Sequence, residues 1–224
     1  MTVATYNIRH GSMVGTNMAL LAEDIRRSGA DLVGVQEIDI GTARVGGQDT
    51  LRLLASASGM PYYAFCPAIR LQGGRYGTAL LSRQPFFGFE AIPYVAKGRE
   101  ARAYSRAYLR LGKYRVAVFN THLEYADTEV RTAQAAELAA AMSREPCRLL
   151  TGDFNTADFS LYTPFGMTAV NRPDNRFATF YEGGLPIDNI LYTAPFRLRS
   201  CGMIESGRSD HYLLWADLSV SSSV

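Results

Sequence analysis

The sequence predicts an α/β protein in which sheets pack on each other and helices lie outside. Three observations carry this. Short apolar runs bounded by Gly, Pro, Asn or Asp recur along nearly the whole chain, as strands do. Only a few segments, 17–28, 50–58 and the Ala-rich 127–144, show helical character. Strands and helices neither alternate strictly nor separate into blocks, which points to packed sheets covered by helices. The chain of 224 residues, 47% hydrophobic and 20% charged, suits one domain spanning residues 1–224 with a substantial core.

Taken in order, residues 2–6 read as a strand ending at Asn7. Leu20, Leu21 and Ile25 give 17–28 helical spacing, and Gly29 stops it. Residues 31–35 form a short, nearly all-apolar strand that delivers Gln36 and Glu37 at its end, and Gly59 closes the helix over 50–58. Strands follow at 62–66, 76–82, 86–92, 103–111 and 114–121, the last two joined by the Gly112-Lys113 turn. The glycine- and arginine-containing stretch 70–76 reads as a mobile loop. Asp127 or Thr128 caps the long helix. Strands at 148–151, 177–180, 187–192, 196–204 and 211–218 complete the pattern, with a disordered tail expected from Ser219 to Val224.

Composition narrows the function. A net charge of +2 marks no global field for nucleic acid, although a local basic patch is compatible with it. Cys66, Cys147 and Cys201 are too few and too dispersed for a disulfide framework or a zinc site, and read as small buried hydrophobes in a reducing compartment. No apolar run approaches the ~20 residues of a membrane helix, and no signal peptide is visible, so a cytoplasmic protein is expected, with a removed leader left open.

Polar residues at strand edges carry the chemistry. In Gly152-Asp153-Phe154-Asn155, an extended backbone would turn Asp153 and Asn155 to one side, as a base and a positioning donor around one water. Asp210 and His211 add a carboxylate and an imidazole. Asp188, set in an apolar strand, needs a partner if buried, and His211 is the obvious one. Glu37 fits a magnesium site, which takes one or two carboxylates and leaves the rest to water and phosphate. Asn7 is placed to fix that carboxylate or contact phosphate, and His122 to hydrogen-bond a developing charge. Arg9, Arg102 and Arg106 are possible phosphate contacts. Each of these alone reads more readily as an ordinary strand-end, structural or solvated residue.

Together, Tyr6-Asn7-Ile8-Arg9-His10-Gly11, Val35-Gln36-Glu37, residues 76–83, Thr121-His122-Leu123, Gly152-Asp153-Phe154-Asn155, Ile187-Asp188-Asn189-Ile190 and Ser209-Asp210-His211 resemble the endonuclease/exonuclease/phosphatase superfamily from residue 3 to 218. The resemblance implies a four-layered α/β sandwich, two mixed β-sheets face to face with helices outside. It implies Glu37 as a metal ligand with Asn7 and Asp210 close by, Asp153 as general base, and Asn155 orienting water or phosphate. His211, paired with Asp188, would stabilise the transition state, assisted by His122, and Arg102 loosely matches a phosphate-facing position. The implied cofactor is Mg²⁺, with Mn²⁺ possible. The opening motif looks closest to small bacterial members grouped with sphingomyelinase-like hydrolases. The expectation is a monomeric phosphodiesterase whose substrate is a small molecule, a lipid headgroup or a nucleic acid. A DNA repair nuclease and a catalytically silent binding module are the competing readings.

Overall fold

Period-two alternation sorts the side chains of each strand onto two faces, and the faces find partners in the computed structural model, which describes residues 1–220. In chain order, β1 (Thr2–Asn7) leads through α1 (Met18–Ser28) to β2 (Leu32–Ile40), and α2 (Thr50–Ser58) precedes β3 (Tyr62–Leu71) and β4 (Gly74–Ser82). Then come β5 (Phe87–Pro93), β6 (Ala103–Leu111), β7 (Tyr114–His122), α3 (Thr128–Met142) and β8 (Arg148–Asp153). The chain continues with β9 (Thr168–Ala169), β10 (Asp188–Tyr192), β11 (Phe196–Ile204) and β12 (Leu213–Val220). Two mixed six-stranded sheets result, in the orders β11-β12-β1-β2-β4-β3 and β5-β6-β7-β8-β10-β9.

Three apolar layers hold the stack. Tyr6, Val33 and Val35 on the outer face of the first sheet meet Leu21, Ile25 and Leu54 of α1 and α2. Val3, Leu32, Leu80 and Leu214 meet Val118, Leu149 and Ile190 between the sheets. Phe119 and Leu150 on the outer face of the second sheet pack against Leu138 and Met142 of α3. The fold is therefore the four-layered α/β sandwich. Asn17, Asp49 and Asp127 cap the three helices through their side chains.

The inter-sheet alternation also sets the site. Counting by twos from the central layer, Val3-Thr5-Asn7, Val116-Val118-Asn120-His122 and Leu149-Thr151-Asp153 run from apolar to polar toward one end of the sandwich. Parallel pairing of β7 with β8 sets His122 beside Asp153. Antiparallel pairing of β10 with β8 sets Asp188 opposite Asp153.

Several expectations need correction. β2 does not stop at Val35 but runs to Ile40 through a register shift between Val35 and Ile38, and Glu37 sits in this bulge with φ of 61°. The stretch 70–76 is no loose loop: β3 and β4 pair through Arg70–Arg75 and Leu71–Gly74, leaving only Gln72 and Gly73 at the tip. Residues 177–180 form no strand, because Phe180 makes only isolated bridges to Leu185 and His211. Ser219 and Val220 belong to β12, while the rest of the expected tail, 221–224, lies outside the described residues. Cys66 and Cys147 are buried as expected, whereas Cys201 is half-buried. No helix among the described residues is long and apolar enough to cross a membrane.

Candidate active site

The amide of Asn7, at the end of β1, joins two parts of the site. Its Nδ2 donates to Glu37 Oε1 at 3.2 Å and to Asp153 Oδ2 at 3.0 Å. Its Oδ1 accepts from the backbone of Arg9, which fixes the amide's orientation. Ser209 Oγ donates to the Asn7 carbonyl and ties the 209–211 segment to the same strand end.

Asp153 is the hub. His211 Nε2 lies 3.7 Å and His122 Nε2 3.5 Å from its Oδ2. On its other nitrogen, His211 Nδ1 sits 2.8 Å from Asp188 Oδ2, a charge-assisted hydrogen bond with the proton between them. Asp153, Asp188 and His211 form a buried cluster of metal-ligand type, their ligand atoms within 4.8 Å of one another. That shared proton occupies the place a cation would need between Asp188 and His211. Residues 179 and 180 support this pair: Thr179 Oγ1 accepts from the Asp188 backbone, and the Phe180 ring lies tilted against His211 with centroids 5.0 Å apart.

Position decides the charge of each group. Burial, then the Asp188 carboxylate across the strands, pushes Asp153 up to about 6. Burial opposes charge on His211, yet Asp188 and Asp153 outweigh it and raise the imidazole to about 10. His122 goes the other way, since burial and then the Arg102 guanidinium hold it well below 6.5. Arg102 Nη1 lies 3.2 Å from His122 Nδ1 and can only donate, so Nδ1 accepts and the ring's one proton sits on Nε2, facing Asp153. The two histidines thus stand on either side of one carboxylate with opposite protonation. Burial pushes the Glu37 carboxyl up, but His10, the Asn7 amide and the charge of His211 pull it down to about 2.

The remaining predicted residues fall less simply. Asn155 does not share an extended backbone with Asp153: its φ is 51°, its N–H donates to Asp153 Oδ1 and its side-chain amide donates to the Leu123 carbonyl. β8 ends at Asp153, so alternation no longer applies. Asp210 pairs with Arg9 at 3.2 Å, at the partly exposed rim. Arg102 is buried and committed to Glu100 at 2.8 Å as well as to His122. Arg106 pairs with Glu90 across β5 and β6.

Beneath the site lies a polar floor that sequence reasoning missed. Gln36 Nε2 donates to Asn120 Oδ1 at 2.8 Å and to Thr5 Oγ1, and Thr151 Oγ1 donates to the same Asn120 oxygen. Asn120 Nδ2 reaches the Val35 and Ala79 carbonyls of the facing sheet. The bond from Gln36 to Asn120 and the two from Asn120 Nδ2 cross the inter-sheet gap and fix the strand ends relative to each other. The available signal was a polar residue at an inward position of an apolar strand, in each of β1, β7 and β8. Gly34 permits this approach, since a Cβ there would meet Thr151 Oγ1 at 2.0 Å.

Residues 4–211 match the sequence model of the Endonuclease/Exonuclease/phosphatase family. The endonuclease/exonuclease/phosphatase from Beutenbergia cavernae DSM 12333 superposes with a TM-score of 0.80 at 19% identity, covering 98% of this chain and 71% of that one. The Bacteroides thetaiotaomicron VPI-5482 mannosyl-6-phosphatase Bt3783 gives 0.71 at 17% identity, covering 98% and 99%. D. rerio TDP2 complexed with single strand DNA product gives 0.77 at 16%, covering 98% and 99%. No curated protein matches the chain. The structural likenesses show the fold, and the match over 4–211 shows the kinship: this chain belongs to the endonuclease/exonuclease/phosphatase family, whose members act on phosphate esters.

Proposed function

We propose that the chain, as one domain over residues 1–224, is a divalent-metal-dependent phosphodiesterase, acting as a monomer in the cytoplasm. The observation that carries the reading is the line Asp188–His211–Asp153–Asn7–Glu37, which sets a protonated imidazole, a poised base and a fixed anion around one volume.

The residues present fit a hard cation. Glu37 stays anionic, and its Oε2 faces His10 Nδ1 across 3.6 Å with no hydrogen bond closing the gap. Asp210 supplies a second carboxylate at the rim. Glu37 and Asp210, with Asn7 beside them, would hold Mg²⁺ or Mn²⁺. When bound, such an ion would supply charge neutralisation and polarisation at a phosphoryl oxygen. Asp153, ionised at neutral pH, takes the proton of the attacking water as its oxygen bonds to phosphorus, and the ester oxygen opposite it leaves with the electrons of the broken P–O bond as an alkoxide that solvent protonates. His211 presents Nε2–H as a charged donor to the developing phosphorane oxygen, and Asp188 holds its ring in place. His122 offers a second, neutral donor, kept in the right tautomer by Arg102, whose charge also favours an anionic substrate. Asn155 pins Asp153 through its N–H and the 123 loop through its amide, keeping water and base aligned.

Hydrolysis of bis-(p-nitrophenyl) phosphate beside p-nitrophenyl phosphate, with Mg²⁺, Mn²⁺ or chelator and His211→Ala as background, tests this. Metal-dependent release from the diester, absent in the variant, is the expected result. Release from the monoester alone would replace the diesterase reading with a phosphatase. A second reading, a nuclease, draws on the Tyr181–Tyr212 stack beside His211 and the exposed Tyr125 beyond His122, which offer faces for bases. Cleavage of a single-stranded oligonucleotide with a steep salt dependence would favour it.

A further inference from the structure

A separate cavity of about 420 Å³ opens next to Glu37, between the loop after β1 and the loop after β2. His10, Ser12, Thr16, Arg44 and Gln48 line it, with Val45 as an apolar contributor. Its volume lies within the range of small-ligand sites. His10 belongs to both places, because its Nδ1 is 3.6 Å from Glu37 Oε2.

The walls are held in shape. Arg9, His10 and Thr16 have φ of 45°, 45° and 62°, a cluster of left-handed non-glycine residues that persists only where surrounding structure imposes it. Gly11 anchors this loop: its φ is 75°, and a Cβ there would meet Met18 Cε at 2.3 Å. In the facing loop, Arg44 forks onto Asp39 at 2.6 and 2.8 Å, and the backbone N–H groups of Ala43 and Arg44 donate to Gln72.

The lining defines what fits. The side chains of Ser12, Thr16 and Gln48 make no hydrogen bond among the described residues, and Arg44 Nη1 is likewise unspent. Asp39 neutralises Arg44, so the cavity offers donors and acceptors with little net charge. No carboxylate lines it to take a cationic group, its one ring is the His10 imidazole directed at Glu37, and Val45 alone makes no wall for an acyl chain. We propose that this cavity binds the sugar or polyol portion of a phosphate ester whose phosphorus lies between Glu37, Asp153 and His211. The inference rests on the phosphodiesterase reading and narrows its substrate class to hydroxyl-rich esters, with Ser12, Thr16 and Gln48 setting specificity.

Two diesters with the same leaving group test it, methyl p-nitrophenyl phosphate and the p-nitrophenyl phosphodiester of glucose O6. Wild-type kcat/KM should favour the glucose ester by roughly tenfold or more, the effect of two or three added hydrogen bonds. The double variant Ser12→Ala, Gln48→Ala should lose that preference while cleaving the methyl ester within about twofold of wild type, since only the cavity's own hydrogen bonds are removed. Equal rates in wild type, or a preference that survives the double variant, would overturn the proposal. If neither diester is cleaved, the functional reading fails, and the cavity is judged separately by NMR titration with glucose. Saturable shifts of the Gln48 side-chain amide would uphold the cavity, and unmoved signals would overturn it.

Discussion

Replacing Asp188 by Asn leaves the shape of the site almost unchanged and removes one charge. The Asn oxygen can still accept from His211 Nδ1, where the carboxylate oxygen now sits at 2.8 Å. What disappears is the first of the carboxylates that raise His211 from its ordinary 6.5 to about 10, a preference for the protonated ring of about 5 kcal/mol in all. Burial alone drives the ring toward neutrality, so in Asp188→Asn the imidazole should titrate near or below neutral pH. Asp153 loses its like-charged neighbour and should titrate below its present value of about 6. Wild-type kcat/KM should therefore follow a bell with limbs near 6 and 10, and in the variant the alkaline limb should move down by several pH units. At pH 8 the rate should fall on the order of 10²–10³-fold, the usual cost of one charged donor to a transition state. The raised imidazole also contributes stability that is fully present below about 6.5 and lost as pH rises through about 10, and the variant should lose this dependence. The assay is the pH profile on a diester together with NMR titration of the His211 ring. A folded variant whose His211 still titrates near 10, or whose alkaline limb stays in place, would refute the assigned role of Asp188.

Further outcomes follow from the same contacts. Arg102→Met removes the cation facing His122 Nδ1, so His122 should titrate higher and the acidic side of the rate profile should lose activity; an unmoved ring signal would show that Arg102 does not set its charge. Gly34→Ala forces a Cβ into Thr151 and Asn120 and should destabilise the fold by roughly 1–3 kcal/mol in thermal or urea melts, whereas an unchanged melt would mean the sheets are not in close contact there. Glu37, held at about 2 against an ordinary 4.5, contributes about 3 kcal/mol that is present above 4.5 and fades as pH falls toward 2. Glu37→Gln should flatten the acid limb of the stability curve in that window, and identical acid unfolding of the two proteins would contradict the assignment.

The motifs at strand edges were legible because chemistry and geometry coincide there: a polar residue closing an apolar run has nowhere to go but the end of the sheet. The helices at 17–28 and 50–58 were legible for a similar reason, each ending at a glycine stop. Glu37 was legible as a residue, but its setting was not. The bulge that turns it toward the site depends on how β2 pairs with β4, which no property of Val-Gln-Glu-Ile encodes by itself. Asn155 misled for the same reason, since alternation holds only while a strand lasts and the carbonyl of Leu123 decides where its amide points. Arg102 looked like any cation near a phosphate site until β6 and β7 brought it against His122. The sequence alone determined which residue types stand at which strand ends, because period and polarity are local. Only the tertiary structure decided their charges, because burial and the nearest carboxylate or guanidinium come from distant segments: one histidine became a cation and the other a neutral donor on either side of the same aspartate.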